Sequence, residues 1–423
     1  MTTVVWPHRA NPLLGMMSQA SDTSSSRAVS TTSKTLRVVM AGGGTGGHLY
    51  PGLAVAEALR SLAEAKGMGL ELTWAATPRA VDQRLLSGFG EGYVKQPVQP
   101  LVKSIGKLIG FVKGWRESCG IWGRRFMSPE QRPDCVVALG GYAAGPAAYV
   151  AGKRGVPVVL LNPDALPGLA NRFLIKRATT VVTQWAWGAA GVGGREYAKH
   201  IKGKVKALGC PIRAELVGRS REEGAARLGI DAGKKTLVVT GASLGAKTIN
   251  EAVLVFLETA AHREALVAGG WQIVHLAGVE QAEGVRAAYA KWPEVHVKVI
   301  DYCDDMASVW AVADAAIARA GASTCAELTA CGVPAILLPY PFHKDMHQKA
   351  NAMELVRAGA AFIVDDAKEA SANASAIKPA LESLLYDEEL RDRMAEAARV
   401  VGKPGAAVEI AKEILALVGE SLR

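Results

Sequence analysis

Two stretches of this chain repeat one plan about 200 residues apart. In the first, "LRVVMA" (Leu36–Ala41) is a short apolar run and "GGGTGGH" a loop of small residues. "PGLAVAEALRSLAEAKG" then reads as a helix, with Pro51 in its first turn and Gly67 as its stop. The second stretch, "KTLVVTG" (Lys235–Gly241), "GASLG" and "AKTINEAVLVFLETAA", keeps the same order. A strand, a glycine loop and a helix in succession open a doubly wound α/β domain, so two openings call for two domains. A length of 423 residues also exceeds what one core organises.

Further apolar runs alternate with helical patterns. "LELTWAAT", "CVVALGG" and "VPVVLL" supply strands to the first half, and "WQIVHLAG", "VHVKVI" and "PAILLPY" to the second. "DDMASVWAVADAAIARAG" and "GASTCAELTACG" read as helices. The predicted fold class is therefore α/β, two Rossmann-like domains with parallel sheets facing a cleft. The expected divisions are a disordered extension over 1–34, an N-terminal domain over 35–205, a C-terminal domain over 206–400, and a helix over 401–423 packing back toward the N-terminal domain.

Composition narrows the setting. The six cysteines (119, 135, 210, 303, 325 and 331) form no Cys-x-x-Cys pair and no zinc spacing, which reads as reduced thiols of a cytoplasmic protein. No run of eighteen apolar residues offers a membrane span. The first 34 residues are rich in Ser and Thr and lack the apolar core of a secretory signal. The net charge of +9 is unevenly spread: between Lys95 and Arg132 eight basic residues face only Glu117 and Glu130. Leu101, Ile105, Leu108, Ile109, Phe111, Val112, Trp115, Ile121, Trp122, Phe126 and Met127 lie among them. That mixture suits an anionic membrane surface, and equally a core-packing helix with a basic solvent face. No nucleic-acid motif accompanies the charge, so nucleic acid is not an expected partner.

Gly42, Gly44 and Gly47 satisfy G-x-G-x-x-G between a strand and a helix, the arrangement that holds a pyrophosphate at a helix amino end. A nicotinamide dinucleotide would need an acid about 20 residues further on, at the end of the second strand. That strand ends "TWAATPRA", with no Asp or Glu. Two facing domains, each with an anion-type loop, suit a donor in one half and an acceptor in the other.

With the other motifs added, the sequence resembles the MurG family. The resemblance is carried by "GGGTGGHLYPGLAVAEAL", "ALGGYAAGPAAYVA", "GLANRFL", "GCPIRAEL", "TGASLGAKTINEAV", the long stretch from Asp301 to Ala352 and "LVRAGAA", in that family's order, and it spans about residues 36 to 420. It implies the GT-B fold and a hexosyltransferase at the cytoplasmic face of the cell membrane, bound peripherally. The implied reaction is inverting transfer of GlcNAc from UDP-GlcNAc to the muramyl C4 hydroxyl of lipid I, a polyprenyl-pyrophosphate-linked muramyl peptide, giving lipid II. No cofactor and no metal is implied. Adjacent Asp304 and Asp305 read as helix caps rather than metal ligands.

His48 is the expected general base, kept neutral by the helix amino end that follows it. Thr45, Gly46 and Gly47 would line the donor–acceptor junction. By resemblance Arg213 grips the donor phosphates, a task that suits a guanidinium. Ser243 heads a helix and has a hydroxyl and an N–H for a phosphate oxygen. Also by resemblance, Glu327 takes the ribose hydroxyls, the backbone at Cys303 meets uracil, and Gln348 reads the sugar with Asn351 nearby. Ala322, Ser323, Thr324, Cys325 and Ala326 would form the helix start beneath the nucleotide.

The chain departs from the family pattern on the acceptor side. "LNPD" (Leu161 to Asp164) stands where His-Glu-Gln-Asn is usual, so Asp164 replaces an asparagine. The second loop is Gly-Ala-Ser-Leu-Gly rather than Gly-Gly-Ser-Gln-Gly, His347 replaces a glutamine, and Cys210 stands where Asn often precedes Pro. A variant acceptor and simple drift both account for this. Alternatives of other kinds are a transferase acting on another lipid or natural product, a UDP-sugar epimerase, and a non-catalytic sugar-nucleotide-binding subunit.

Overall fold

The computed structural model describes residues 35–88, 90–101, 105–187, 204–241, 245–342 and 346–421. The expected disordered extension and Ser243 lie outside the described residues.

Two parallel sheets form the frame. The first contains β1 (Thr35–Ala41), β2 (Gly69–Ala76), β3 (Tyr93–Lys95), β4 (Cys135–Ala138), β5 (Val158–Asn162), β6 (Thr180–Thr183) and β7 (Val205–Lys206), in the order β3-β2-β1-β4-β5-β6-β7. The second contains β8 (Lys235–Thr240), β9 (Trp271–Leu276), β10 (Val297–Ile300), β11 (Ala315–Ala318), β12 (Ala335–Leu337) and β13 (Ala361–Ile363), in the order β10-β9-β8-β11-β12-β13. Both orders reverse direction beside their first strand, between β1 and β4 and between β8 and β11. In doubly wound sheets a crevice opens at that reversal, outside the carboxyl ends of the strands. Each glycine-rich stretch noted in the sequence leaves its sheet there.

Helices cover both faces of each sheet, so inner strands are buried throughout: all four residues of β4, β6 and β11 are enclosed. One stretch read as helix turned out otherwise. Over "DDMASVWAVADAAIARAG" the helix runs only from Met306 to Val312, and Ala315–Ala318 is β11, paired with β8 and β12. Alanine favours helix locally, but these three alanines and Ile317 occupy the centre of the sheet, where burial on both faces overrides propensity.

Helix α1 (Gly46–Ala65) begins at Gly46, not at Pro51 as the sequence suggested. Pro51 is its sixth residue and has no N–H for the Gly47 carbonyl. The other N-terminal helices are α2 (Ala80–Gly88), α3 (Ile105–Arg125), α4 (Gly141–Lys153) and α5 (Leu169–Ile175).

The chain crosses to the second sheet after β7 and returns at its end. Helix Ala406–Ser421 inserts Ile410 and Ile414, both fully buried, into the core formed by Leu36, Val38, Leu53 and Leu59. Glu413 on the same helix bonds Lys206 Nζ at 2.5 Å and Thr180 Oγ1 at 3.3 Å. The N-terminal half is thus closed by the last helix of the chain.

Candidate active site

The glycine loop after β1 is held from below by one enclosed carboxylate. Asp82, in the first turn of α2, accepts the Gly44 N–H at 2.7 Å with one oxygen. Its other oxygen takes the Thr77 N–H at 2.9 Å and the Thr77 hydroxyl at 2.6 Å. Gly43 runs so close to this carboxylate that a Cβ there would stand 2.3 Å from Asp82 Oδ2. The acid absent from the end of β2 is therefore present five residues beyond Thr77, and it is committed to the loop rather than to a ribose.

The loop delivers His48 to the reversal point of the first sheet. His48 is the third residue of α1, inside the helix rather than before it. Its ring packs over Gly140 and Gly141, which follow β4 with φ of 98° and 71°. A Cβ at Gly141 would stand 2.8 Å from His48 Nε2, and one at Gly140 3.3 Å from Nδ1. Two residues that tolerate positive φ and carry no side chain are what let the imidazole lie here. Burial is the main influence on its charge and pushes the imidazole below its ordinary 6.5. The Asp164 carboxylate, the Leu139 carbonyl and the Asp82 carboxylate pull upward with smaller effect. Burial is thus the main influence favouring the neutral ring expected from the sequence.

A cavity opens between the two halves. Gly46, Gly47 and Tyr50 of α1 form one wall; Ser323, Thr324 and Glu327 of helix Ala322–Cys331 face them, with Arg213, Tyr302 and Cys303 between. Two helix amino ends thus point into one space, and neither has a side-chain cap. Their free N–H groups and dipoles favour a negative group there.

Arg213 lies over the Tyr50 ring, 5.1 Å from its centroid, and donates to the Asp304 carbonyl and to Glu215. The Tyr50 hydroxyl meets that of Tyr302, 3.3 Å away on the opposite half, and Arg84 lies over the Tyr302 ring. Glu327 Oε2 accepts from Trp310 Nε1 at 2.8 Å. Burial pushes its carboxyl up, while Trp310 and Arg213 favour the charged form. Burial likewise pushes the Cys303 thiol up to about 11, so it is protonated at neutral pH. Asp305 caps helix Met306–Val312 by accepting from Ser308 N, and the Asp304 carbonyl is taken by Arg213.

The remaining expected residues stand outside this cavity. Thr45 precedes α1, and its carbonyl accepts from His48 N and Leu49 N. Ala322 is the first residue of its helix. Cys325 and Ala326 turn inward and pack in the core beneath β11, so their side chains are structural. Gln348 Oε1 accepts from Tyr340 N at 2.8 Å and holds the turn after β12. Asp164 and Asn351 meet at the seam between the halves. Asn351 Nδ2 donates to Asp164 Oδ1 at 2.9 Å and to the Ala320 carbonyl, and its Oδ1 accepts from Ala165 N. Asn351 is thereby spent inside the protein instead of being left for a sugar. Asp82, Tyr50, Tyr302 and the Gly140–Gly141 pair were not singled out in the sequence. Tyr50 lay in plain view within "GGHLYPG", whereas Asp82 and Tyr302 carry no local signal.

Residues 38–183 match the glycosyltransferase family 28 N-terminal domain and residues 236–411 its C-terminal domain. Proteins named UDP-N-acetylglucosamine–N-acetylmuramyl-(pentapeptide) pyrophosphoryl-undecaprenol N-acetylglucosamine transferase are similar along their whole length. That of Halothermothrix orenii is 32% identical over 88% of this chain and 96% of its own. That of Chlorobaculum tepidum is 34% identical over 90% and 99%. The crystal structure of Acinetobacter baumannii MurG aligns with a TM-score of 0.65 at 26% identity, covering 90% of this chain and 99% of that one.

The chain belongs to the MurG family.

The MurG-family fold is shared more widely: a UDP-N-acetylglucosamine 2-epimerase structure from Listeria monocytogenes aligns with a TM-score of 0.61 at 15% identity, a likeness of fold alone. Within the family frame, Asp82 is the residue on which the geometry of the first loop rests. Asp82→Ala strands two enclosed N–H groups and is expected to lower stability by about 3 kcal/mol, read from urea unfolding. A loss under about 1 kcal/mol would show that the loop holds itself.

Proposed function

We infer that this MurG-family enzyme moves GlcNAc from UDP-GlcNAc to the muramyl C4 hydroxyl of lipid I, giving lipid II for peptidoglycan synthesis. The observation that carries this reading is the pair of uncapped helix amino ends facing one cavity, with a guanidinium and a carboxylate on its wall and an imidazole in the first turn of α1.

In this reading the diphosphate of the donor lies between the amino ends of α1 and helix Ala322–Cys331, near Arg213. Glu327 keeps Oε1 for the ribose hydroxyls, since Trp310 occupies Oε2. Cys303 lines the uracil end through its backbone, and Ser243 adds a phosphate contact. Gln348 supports the sugar end. Thr45, Gly46 and Gly47 form the junction with the acceptor, and Asp164 borders the acceptor side through its seam with Asn351.

His48 Nε2 takes the proton of the C4 hydroxyl as that oxygen attacks the anomeric carbon from the face opposite the departing UDP. The bond from the anomeric carbon to the phosphate oxygen breaks, and its electron pair leaves with UDP. The configuration therefore inverts. Helix dipoles and Arg213 stabilise the charge that develops on the diphosphate.

The acceptor carries a lipid, and one face of the N-terminal half suits a bilayer. No described helix is long and apolar enough to cross a membrane. Helix α3 packs one end into the core and leaves apolar side chains exposed near the other. Its C-terminal part buries Ser118 and Trp122, while Leu108, Ile109 and Val112 near its start are exposed, Ile109 by 66%. Trp115 joins this end to Phe173 of α5, and Leu169 beside it is 77% exposed. Lys107 and Lys113 are on the same helix, Lys153 lies over the Tyr149 ring, and Arg177 lies over the rings of Tyr149 and Phe173. Exposed apolar side chains with cations nearby suit an anionic leaflet, which supports the reading of a peripheral enzyme at the cytoplasmic face.

Two outcomes follow. His48→Ala lowers kcat on the order of 10²–10⁴-fold while UDP-GlcNAc binding changes by less than about twofold. Because burial lowers the His48 pKa, the neutral base persists below the usual imidazole range. The acidic limb of kcat/KM accordingly falls below pH 6.5, and Asp164→Asn, which removes a charge favouring imidazolium, moves it lower still. A limb at or above 6.5, or full turnover by His48→Ala, contradicts the base role. For the membrane face, Lys107→Glu with Lys113→Glu weakens sedimentation with phosphatidylglycerol vesicles, as does added salt. Unchanged sedimentation removes this face from membrane binding.

A further inference from the structure

Two enclosed polar atoms beside the proposed base have no hydrogen-bond partner among the described residues: His48 Nδ1 and Asn171 Oδ1. They face each other across the α-carbon of Gly140. A Cβ there would stand 3.3 Å from Nδ1 and 3.5 Å from Oδ1, and only the missing side chain leaves the path between them open.

The orientation of the Asn171 amide is fixed. Its Nδ2 donates to the Leu161 carbonyl at 3.2 Å and to Asn162 Oδ1 at 2.9 Å. Asn162 is fixed in turn, because its own Nδ2 donates to the Asp164 carbonyl at 2.7 Å. A reversed Asn171 amide would set oxygen against two acceptors, so the end aimed at His48 is the oxygen. The Nδ2 contacts account for a structural asparagine that ties α5 to the end of β5. They do not account for an enclosed acceptor turned toward an imidazole.

We propose that Asn171 is a positioning residue that fixes the tautomer of His48: one water between them accepts from Nδ1–H and donates to Asn171 Oδ1. This rests on the reading of His48 as the base. With the proton held on Nδ1, the lone pair stands on Nε2, the nitrogen that the acceptor hydroxyl must reach in the base reading. The Leu139 carbonyl also acts on the ring without reaching hydrogen-bond geometry at Nδ1, so the test must separate the two acceptors.

The experiment is ¹⁵N NMR of the full chain labelled at histidine, with His48→Gln identifying the His48 signals. The wild-type protein is expected to show the Nδ1–H tautomer. Asn171→Leu is expected to shift His48 toward Nε2–H and to lower kcat about 10–100-fold with the KM for UDP-GlcNAc changed by less than about twofold. An Nε2–H tautomer in the wild-type protein overturns the proposal without any variant. So does a folded Asn171→Leu protein, judged by its melting temperature, whose His48 tautomer is unchanged, since Leu139 would then suffice. The NMR reading needs no turnover. Failure of the base role would appear separately, as retained activity in His48→Ala.

Discussion

The Asp82 carboxylate takes three hydrogen bonds in an enclosed site, two of them from backbone N–H groups of different loops. An acceptor removed from there would leave those donors with neither partner nor water, and this is what ties the glycine loop to the end of β2. The start of α1 depends on that tie, and with it the direction of its dipole, the wall formed by Gly46 and Gly47, and the seat of His48 over Gly140 and Gly141. A histidine in a flexible loop would titrate near its ordinary value. Packed against glycine backbone, it is held below that value by burial.

The two halves use the same topology for different ends. Each presents a helix amino end at the reversal of its sheet. In the first the loop is followed by an imidazole, and in the second the facing helix carries a carboxylate, Glu327. The halves touch through side chains with defined geometry: Tyr50 with Tyr302, Arg213 over Tyr50, and Asn351 with Asp164 and Ala165. The last helix of the chain, buried in the N-terminal core, makes the second half covalently and structurally continuous with the first. The aspartate that departs from the family pattern at position 164 sits in this seam, where it accepts from Asn351.

Much of this was legible in the sequence because it is written locally. Glycine loops between apolar runs and helical patterns identify Rossmann-like units, and both sheets have the order that this implies. Gly46, Gly47, Arg213, Cys303, Ser323, Thr324 and Glu327 do line one cavity. What was illegible is tertiary. Ala315–Ala318 has the composition of a helix and becomes a central strand because only the assembled sheet buries it. Cys325 and Ala326 share a motif with cavity residues, but the helical period turns them inward. Asp82 and Asn171 are ordinary polar residues in ordinary helices. Their importance arises from what faces them across 38 residues of chain in one case and across a glycine α-carbon in the other.

The central claim is that the two facing helix amino ends form a site for a uridine diphosphate. Isothermal titration calorimetry of the full chain with UDP, UDP-GlcNAc and NAD measures it most directly. The account predicts saturable heat with UDP and UDP-GlcNAc, lost in Glu327→Ala, and none with NAD. Heat with NAD and none with either uridine nucleotide would contradict it.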